Sequence, residues 1–363
     1  MRIFEEMAKY GHEQVHFLQH RGTGLKGIVA IHDTTLGPAL GGCRMRPYET
    51  EEEALFDVLR LSRGMTYKCG VVDVDNGGGK AVLIGDPNQD KSPELFRVFG
   101  RYVQGLGGRF YTGTDMGTTP QDFVHAKRES SCFVGLPVEY GGSGNTAVPT
   151  ALGVFEAIKA TAMWLWGSTE LTGRRFAVQG VGKVGALVVQ HLVEAGGAVY
   201  VTDVSQPNLD AVVTATPGEQ LLGVVGPEEI YGLDVDVFVP CALGAILNDE
   251  TIYELRCAAV VGSANNQLLD MEKHGAMLAE RGILYAPDYL ANAGGLIQVA
   301  DELQGYVPER VLAKTKAIYD MLLQVYAFSA EREIPTWLAA DRLVEQRIEQ
   351  VKDLKAVWVQ KAR

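Results

Sequence analysis

The sequence lacks the signals of membrane, secreted and nucleic-acid-binding proteins. No apolar run approaches the roughly 18 residues that span a membrane, and the opening Met-Arg-Ile-Phe-Glu-Glu has no apolar core of a signal peptide. The net charge is −12 and no long Lys/Arg run is present, which disfavours nucleic acids and anionic membranes as partners. We therefore expect a cytoplasmic protein that acts on small molecules.

Cysteine is scarce as well. The chain has five cysteines, and no two of them form a C-x-x-C pair: Cys43, Cys69, Cys132, Cys241 and Cys257. Such an odd, scattered set predicts neither a disulfide framework nor a structural zinc site. The remaining composition, 47% hydrophobic and 21% charged over 363 residues, is that of a folded globular protein. At about 150 residues per domain, this length suggests two domains.

One literal metal motif is set aside. The segment 12–16 reads His-Glu-Gln-Val-His and matches H-E-x-x-H, which on a helix places two imidazoles on one face for zinc. Val15 and Phe17, however, alternate with polar neighbours as in a strand, and strand geometry would separate the imidazoles. We therefore expect no metal.

Glycine, by contrast, is abundant, and its 42 residues are clustered. Such clusters mark positions of positive φ or of close backbone approach. Around them, the first part of the chain has an α/β pattern. Strand-like segments cover 26–32 and 81–84. Thr50 begins a helix that Gly64 is expected to end, and a second helix begins at Pro93.

The rest of the chain alternates between strands and helices. A Gly- and Pro-rich stretch over 136–149 predicts a hinge, and a helix is expected to begin near Thr150. Further strands are expected at 236–239, 258–261 and 283–285, and helices at 308–326 and 338–357. The pattern predicts an α/β substrate-binding and catalytic domain over 1–135, a doubly wound Rossmann-type domain over 136–330 and a C-terminal helical segment over 331–363 that packs back toward the first domain. The active site is expected in a cleft between the two domains, which close over the substrate.

The second domain carries a dinucleotide-binding fingerprint. A buried strand over 176–179 runs directly into Gly180-x-Gly182-x-x-Gly185, a helix and a second strand that ends at Asp203. In this context the glycines allow a tight turn, a close approach to a pyrophosphate and helix–strand packing, while the helix N-terminus attracts the phosphates. Asp203 can bind the ribose hydroxyls, and no Arg follows within three residues to accept a 2′-phosphate. NAD is therefore favoured over NADP.

Two lysines of the first domain have unusual neighbours. Lys68 lies in Gly64-Met-Thr-Tyr-Lys68, and Lys80 follows three glycines and enters an apolar strand. A lysine among glycines and aliphatic side chains is expected to be desolvated, which favours the neutral amine and makes it available as a general base. On these residues alone, two ordinary surface lysines stay an open alternative.

Five segments together resemble the Glu/Leu/Phe/Val amino-acid dehydrogenases. They match in order and spacing over essentially the whole chain: 64–68, 77–80, 111–118, 262–267 and 292–296. Within the family, the chain is most similar to the phenylalanine dehydrogenases. The resemblance implies an NAD-dependent, reversible oxidative deamination of an L-amino acid, foremost L-phenylalanine, to its 2-oxo acid (phenylpyruvate), ammonia and NADH. It also implies a homo-oligomer.

The resemblance assigns roles to three charged residues. Lys68 would pair with the substrate α-carboxylate, Lys80 would act as general base on the attacking water, and Asp115 would handle protons at the amino group and the carbinolamine. These roles agree with the chemistry, which needs a cation, an amine that takes a proton and a carboxylate that holds an ammonium. Further substrate contacts would lie at Gly41, Gly42, Met65 and Asn292, of which Gly41, Gly42 and Asn292 are expected on turns.

The preferred amino acid depends on few side chains. The resemblance places Gly113 and Leu296 in the side-chain pocket, where leucine dehydrogenases have Ala and Val, and Gly113 leaves room for a ring. One methylene in a pocket is worth only about 1–3 kcal/mol, so discrimination should be partial. Asn145 is placed near the pocket and can tune tyrosine against phenylalanine. No spare cation is placed to bind a glutamate side chain.

Further cofactor contacts also follow from the resemblance. The hydroxyl of Thr150 could reach the nicotinamide carboxamide, and Asn292 would border the nicotinamide as well as the substrate. The remaining contacts would come from the glycine-rich turn and from segments after later strands: Val181, Lys183, Val184, Cys241, Ala242, Ala264 and Asn265.

Several alternatives stay open. The same reaction on leucine, valine or tryptophan fits the same motifs. A non-catalytic NAD(H)-sensing protein would use the fingerprint but leave Lys68, Lys80 and Asp115 unexplained. Flavin binding is a further possibility for the fingerprint. A hydroxy-acid dehydrogenase would normally need a His base, and none of the seven His residues lies beside a comparable Gly-rich segment.

Overall fold

A computed structural model describes residues 2–354 of the chain. The last three residues of the helix predicted over 338–357, and the end of the C-terminal segment predicted over 331–363, lie outside the described residues. The described chain forms two compact units. Unit 1 comprises residues 2–144, 298–307 and 344–354, and unit 2 comprises residues 145–297 and 308–343.

Unit 1 is built on a mixed five-stranded sheet. Its strands are β1 (Gln14–His20), β2 (Leu25–Asp33), β3 (Ala39–Arg46), β4 (Gly77–Ile84) and β5 (Phe110–Thr114). They lie in the order β1-β2-β4-β3-β5, with β4, β3 and β5 parallel and β1 and β2 antiparallel to their neighbours. The helices are α1 (Ile3–Tyr10), α2 (Glu51–Val71), α3 (Pro93–Gly105) and α4 (Pro120–Lys127).

Both faces of this sheet are covered, because the strands bury side chains on alternate sides. Val29 and Ile31 of β2 join a cluster with Phe96 and Phe99 of α3. Their neighbours on the same strand, including Ile28, pack instead in a cluster with residues of α2. Successive side chains of a strand point to opposite faces of the sheet. The central strand β4 therefore lies between two buried layers.

Helix α2 continues through Gly64, so the prediction that the helix ends there is wrong. Thr50 caps the helix as expected, since its hydroxyl accepts a hydrogen bond from the Glu53 N–H at 3.1 Å. Glycine costs about 1 kcal/mol relative to alanine inside a helix, but buried residues on both sides of Gly64, among them Leu59 and Cys69, hold the helix against the sheet. Lys68 consequently lies in the last helical turn.

Unit 2 contains a parallel six-stranded sheet. Its strands are β6 (Arg175–Gln179), β7 (Ala198–Thr202), β8 (Leu221–Val224), β9 (Val237–Pro240), β10 (Ala259–Val260) and β11 (Leu284–Tyr285). The strands lie in the order β8-β7-β6-β9-β10-β11. From β6, the chain adds β7 and β8 on one side and then β9, β10 and β11 on the other, which is the doubly wound arrangement of dinucleotide-binding domains. The predicted fold class is therefore confirmed, although the sequence analysis did not single out β8.

The helices of unit 2 and the chain beyond it differ from expectation in two places. Helix α5 begins at Ala147 rather than near Thr150, and Pro149 lies in its first turn, where proline is tolerated. The single helix predicted over 308–326 is two helices that meet at Ala317. The elements are α5 (Ala147–Trp166), α6 (Gly185–Glu194), α7 (Gln206–Ala215), α8 (Thr251–Glu254), α9 (Met271–Glu280), α10 (Asp288–Ala291), α11 (Gly294–Asp301), α12 (Pro308–Lys316), α13 (Ile318–Arg332) and α14 (Thr336–Leu354).

Among residues 2–354, no helix is both long enough and apolar enough to cross a bilayer.

Candidate active site

A partly buried ion pair lies in unit 1. The Nζ atom of Lys80, on β4, is 2.7 Å from Oδ2 of Asp115, which directly follows β5. Lys80 is only 7% exposed, so the desolvation expected from its glycine and aliphatic neighbours is present. Lys80 and Asp115, the two residues expected to transfer protons, are thus in direct contact.

The Gly41-Gly42 pair makes room for this ion pair. Both glycines lie inside strand β3 and not on a turn, which corrects the expectation. A Cβ on Gly42 would lie 2.9 Å from the Lys80 Nζ atom, and one on Gly41 would lie 1.8 Å from the Gly79 carbonyl oxygen. The parallel strands can therefore approach closely only because both positions lack a side chain.

Arg44 completes the cluster, and the sequence analysis missed it. Its Nε atom lies 3.4 Å from Asp115 Oδ2, and its side chain is 14% exposed. The signal was its position two residues after Gly42, since alternate residues of a strand share a face. That signal was usable only if β3 had been recognised as a strand.

The ionised form of Asp115 is favoured by its two cationic neighbours. Burial opposes ionisation of this carboxyl group, but the charges of Lys80 and Arg44 outweigh burial and hold the pKa of Asp115 below its ordinary value. The backbone N–H of Met116 adds a hydrogen bond of 2.7 Å to Oδ1. Asp115 is thus a carboxylate, suited to hold an ammonium group.

A second carboxylate supports Arg44 from behind. Asp57 Oδ2 accepts a hydrogen bond of 3.0 Å from Arg44 Nη1 and one of 2.9 Å from the Tyr48 hydroxyl. Its other oxygen accepts from Arg60 Nη2 at 3.0 Å. Burial again opposes ionisation, yet the charge of Arg44 and the hydrogen bond from Tyr48 lower the pKa of Asp57. This chain of contacts fixes the Arg44 guanidinium beside Asp115.

Met65 and Lys68 lie on helix α2 above the same strands. The Cγ atom of Met65 is 3.3 Å from the Cβ position of Gly41, so this part of the helix rests on the glycine pair. Residues three apart lie on one helical face, which gives Lys68 the same side of α2 as Met65. Both residues are partly buried.

Gly113 lies on β5 opposite Gly42. A Cβ at Gly113 would lie 3.4 Å from the Val134 carbonyl oxygen and 3.5 Å from Val134 Cγ2, both ordinary contact distances. A methyl group therefore fits at this position without a clash. The space that Gly113 leaves open is bounded by the Val134 backbone and side chain.

In unit 2, the glycine-rich turn has the shape that the fingerprint predicts. Gly180 has a φ of 91°, and a Cβ on Gly185 would lie 1.9 Å from the Gly180 carbonyl oxygen. Gly182 differs from both, because its Cβ position meets no atom closer than Asn208 Nδ2 at 3.9 Å. Packing thus requires Gly180 and Gly185, whereas Gly182 leaves open space at the turn. Such a turn before a helix fits a pyrophosphate.

Asp203 ties the end of β7 to the glycine-rich turn. Its Oδ2 accepts a hydrogen bond of 2.7 Å from the Val181 N–H, and its Oδ1 accepts one of 2.8 Å from the Ser205 N–H. The carboxylate is therefore held in a fixed orientation at the carboxyl edge of the sheet, which is where such folds bind their ligands. The other two turn residues, Lys183 and Val184, are exposed and partly buried, respectively.

The other predicted cofactor residues lie at the carboxyl ends of neighbouring strands. Cys241 and Ala242 directly follow β9, and Ala242 lies against the turn, with its Cβ 2.6 Å from the Cβ position of Gly180. Asn292, after α10, donates hydrogen bonds of 2.8 Å to Asn265 Oδ1 and 3.1 Å to the Ser263 carbonyl. Ala264 is held by a bond of 3.0 Å from its N–H to the Pro240 carbonyl. Burial raises the pKa of the Cys241 thiol, which favours its protonated form.

Thr150, Leu296 and Asn145 also belong to unit 2. The Thr150 hydroxyl donates to the Thr146 carbonyl at 2.8 Å and lies 2.8 Å from the Cβ position of Gly295. Leu296 is partly buried on α11. Asn145 is exposed, and its side-chain oxygen accepts a hydrogen bond of 3.0 Å from the Ala147 N–H at the start of α5.

The residues of the H-E-x-x-H match have other partners. His16 lies on β1, as the alternation predicted. His12 Nε2 lies 2.9 Å from the Leu59 carbonyl, and Glu13 accepts a hydrogen bond of 2.6 Å from the Thr34 N–H. Within residues 2–354, no group of three His, Cys, Asp or Glu side chains is arranged to hold a metal ion.

Two family profiles match the chain. Residues 12–131 match the Glu/Leu/Phe/Val dehydrogenase dimerisation domain, and residues 208–340 match Glutamate/Leucine/Phenylalanine/Valine dehydrogenase. The chain is 56% identical to the phenylalanine dehydrogenase of Thermoactinomyces intermedius, covering 99% of this chain and 98% of that protein. It is 48% identical to the leucine dehydrogenase of the same organism, covering 100% of this chain and 98% of that one.

Two solved structures have the same fold as this chain. The L-tryptophan dehydrogenase of Nostoc punctiforme superimposes with a TM-score of 0.86 at 45% identity, covering 97% of this chain and 99% of that one. A hetero-hexameric glutamate dehydrogenase of Thermus thermophilus, at 23% identity and a TM-score of 0.77, covers 98% of this chain and 96% of that one and shares the fold.

Proposed function

The chain belongs to the Glu/Leu/Phe/Val dehydrogenase family and is an NAD-dependent amino-acid dehydrogenase, and from this premise we propose that its preferred substrate is L-phenylalanine. The reaction converts L-phenylalanine, NAD⁺ and water into phenylpyruvate, an ammonium ion, NADH and a proton. The identity of 56% over nearly the whole length of a phenylalanine dehydrogenase supports this substrate.

Asp115 receives the substrate amino group in this proposal. Its pKa is low despite burial, so it presents a carboxylate to the substrate ammonium. The substrate ammonium then shares this carboxylate with Lys80, whose Nζ atom lies 2.7 Å from Asp115 Oδ2. Lys80 then acts as the neutral base that takes a proton from the attacking water. Asp115 accepts the proton that the substrate ammonium loses before hydride transfer, and it returns this proton to the amino group of the carbinolamine so that ammonia can leave.

Two further cations, Lys68 and Arg44, have different roles in this proposal. Lys68, on the α2 face that contacts Gly41 through Met65, pairs with the substrate α-carboxylate. Arg44 contacts the same Asp115 oxygen as Lys80 and is held there by Asp57. We assign Arg44 to positioning Asp115 and to keeping the pKa of that carboxyl group low.

The residues of unit 2 fit a dinucleotide. Bound NAD supplies the chemistry of hydride acceptance from the substrate Cα. The open space at Gly182 and the N-terminus of α6 fit the pyrophosphate, and Asp203 fits the adenosine ribose. We assign Thr150 and Asn292 to the nicotinamide end, and Cys241, Ala242, Ala264 and Asn265 to further cofactor contacts.

Gly113 supports the preference for an aromatic side chain. Its missing methyl group leaves a space bounded by Val134, and one methyl group in such a pocket changes relative affinity by about 1–3 kcal/mol. Gly41, Gly42 and Met65 line the substrate position on the strand side. Asn145, Asn292 and Leu296 stay assigned to substrate binding by the family resemblance alone.

The observation that carries this function is the partly buried Lys80–Asp115 contact at 2.7 Å beside the Gly41-Gly42 pair. The test is NADH formation from NAD⁺ with L-Phe, L-Tyr, L-Trp, L-Leu, L-Val and L-Glu at alkaline pH. We expect the highest kcat/KM with L-Phe. A higher value with L-Leu or L-Trp would keep the reaction and overturn the substrate.

We also propose that the enzyme is a cytoplasmic homo-oligomer. The match of residues 12–131 to a dimerisation domain supports assembly. The five cysteines form no disulfide in the described part of the chain, and reduced thiols are usual in the cytoplasm. Light scattering of the purified protein should give a mass of at least two chains of 39.4 kDa each, and the mass of a single chain would contradict assembly.

A further inference from the structure

Glu302 holds two separate points of one loop. The loop over 135–143 follows Val134 and belongs, with Glu302, to unit 1. Oε2 of Glu302 accepts a hydrogen bond of 2.8 Å from the Gly135 N–H, and Oε1 accepts one of 2.7 Å from the Ser143 N–H. The Ser143 hydroxyl donates to the same Oε1 atom. One carboxylate thus ties the first and last residues of the loop together.

The first of these bonds acts directly on the wall beside Gly113. The peptide unit between Val134 and Gly135 is planar, so its C=O and N–H directions are coupled. Its carbonyl oxygen lies 3.4 Å from the Cβ position of Gly113, while its N–H is the group bound by Glu302. Holding the N–H therefore fixes the direction of the carbonyl that bounds the space at Gly113.

The second point is held from two sides. Gln298, which is 3% exposed and one helical turn before Glu302, donates a hydrogen bond of 2.9 Å from Nε2 to the Ser143 carbonyl. The Ser143 N–H and hydroxyl are bound by Glu302. The loop between is compact, since a Cβ on Gly142 would lie 1.7 Å from the Leu136 carbonyl oxygen. A loop fixed at both ends cannot easily move its first peptide.

We propose that Glu302 is a specificity-positioning residue, which fixes the Val134–Gly135 peptide and so sets the width of the space at Gly113. This inference rests on the proposed function. A wall that cannot move favours the side chain that fills the space, whereas a mobile wall adapts to a smaller one. Glu302 acts through the loop and does not touch the reacting atoms.

The test compares Glu302→Ala and Glu302→Gln with Glu309→Gln, an exposed glutamate of α12. Glutamine keeps the shape of glutamate but turns an NH₂ group toward a backbone N–H, so one of the two backbone bonds is lost. We expect both Glu302 variants to lower the ratio of kcat/KM for L-Phe over L-Leu by about tenfold. KM for L-Phe should rise more than kcat falls, with NADH affinity and the Glu309→Gln variant unchanged.

An unchanged Phe/Leu ratio in folded Glu302→Gln overturns the inference, as does a fall in kcat with KM constant. If Glu302→Ala does not fold, the isosteric Glu302→Gln decides on the same ratio. Failure of the proposed function is distinguishable, since the wild-type enzyme itself would then prefer another amino acid. In that case the ratio is taken between its preferred substrate and L-Phe, and an unaltered ratio again contradicts a role for Glu302.

Discussion

The charged cluster of unit 1 is built from side chains, whereas the glycine-rich turn of unit 2 is built from the backbone. In unit 1, four buried or half-buried charged side chains contact one another in a row: Lys80, Asp115, Arg44 and Asp57. In unit 2, the shape of the backbone forms the turn. Packing requires glycine at Gly180 and Gly185, whereas the space beside Gly182 is open. Proton transfer needs side chains whose charges respond to each other, whereas phosphate binding needs space and N–H groups.

The contrast implies that the two regions fail in different ways. Damage to the charged cluster should change kcat or its pH dependence and leave cofactor affinity intact. Damage to the open position of the glycine-rich turn should change cofactor affinity and leave the chemistry intact. Each of the following variants breaks or sharpens that distinction.

The largest effect is expected for Lys80→Ala. Removing the base that contacts Asp115 should lower kcat by roughly 10³-fold, because no other amine lies as close to that carboxylate among the described residues. NADH affinity, measured by fluorescence titration, should not change. Lys26→Ala, at an exposed position of the adjacent strand β2, is the matched control. Retention of kcat within tenfold would refute Lys80 as the base.

Gly182→Ala should mainly weaken NADH binding. The added methyl group meets no protein atom within 3.9 Å, so Tm should stay at the wild-type value. It would fill the space that fits the pyrophosphate, and we expect Kd for NADH to rise roughly 30-fold, equivalent to about 2 kcal/mol. Gly218→Ala, whose Cβ position is also open, is the control in the same unit. An unaltered Kd would mean that the turn does not bind the phosphates.

Gly113→Ala should change which substrate is preferred and little else. The methyl group fits against Val134 at 3.4–3.5 Å, so the fold should tolerate it. Filling the space should lower kcat/KM for L-Phe relative to L-Leu by about tenfold. Gly105→Ala, at the open end of α3, serves as control. If the two substrates respond equally, Gly113 does not line the side-chain pocket.

Arg44→Gln should show its effect in the pH profile. Although burial opposes ionisation, Lys80 and Arg44 hold the pKa of Asp115 below its ordinary value. Removing the Arg44 charge raises that pKa, so the carboxylate is lost at a higher pH as the solution is acidified. The acid limb of kcat/KM should therefore move to higher pH, and by less in Arg44→Lys, which keeps the charge. A limb that stays in place, or moves to lower pH, contradicts the role of Arg44.

These two regions were also unequally predictable from sequence. The turn from Gly180 to Gly185 is local, since strand, turn and helix follow one another along the chain, and its positive φ and close contacts could be inferred from glycine positions. The doubly wound sheet followed from the alternation of strands and helices, although β8 was not predicted. That strand covers only four residues and contains Gly223, a residue that is unfavourable inside strands.

The charged cluster depends on contacts between distant segments. Lys80 and Asp115 were identified through family motifs, but their direct contact requires β3 to lie between β4 and β5. Gly41 and Gly42 were expected on a turn because they form a glycine cluster; close packing of parallel strands is what requires glycine there. Arg44 and Asp57 belong to no motif. The contact of Arg44 with Asp115 depends on the pairing of β3, and Asp57 joins the cluster through its hydrogen bond with Arg44. The hydrogen bonds of Glu302 likewise join segments more than 150 residues apart.

The most direct test of this division is to measure kcat and the NADH dissociation constant side by side in Lys80→Ala and Gly182→Ala. We predict that Lys80→Ala binds NADH like the wild type and turns over roughly 10³-fold more slowly, while Gly182→Ala binds NADH weakly and reaches a near-normal kcat at saturating NAD⁺. If each variant changes both quantities to a similar extent, the catalytic cluster and the cofactor site are not separable, and the account is wrong.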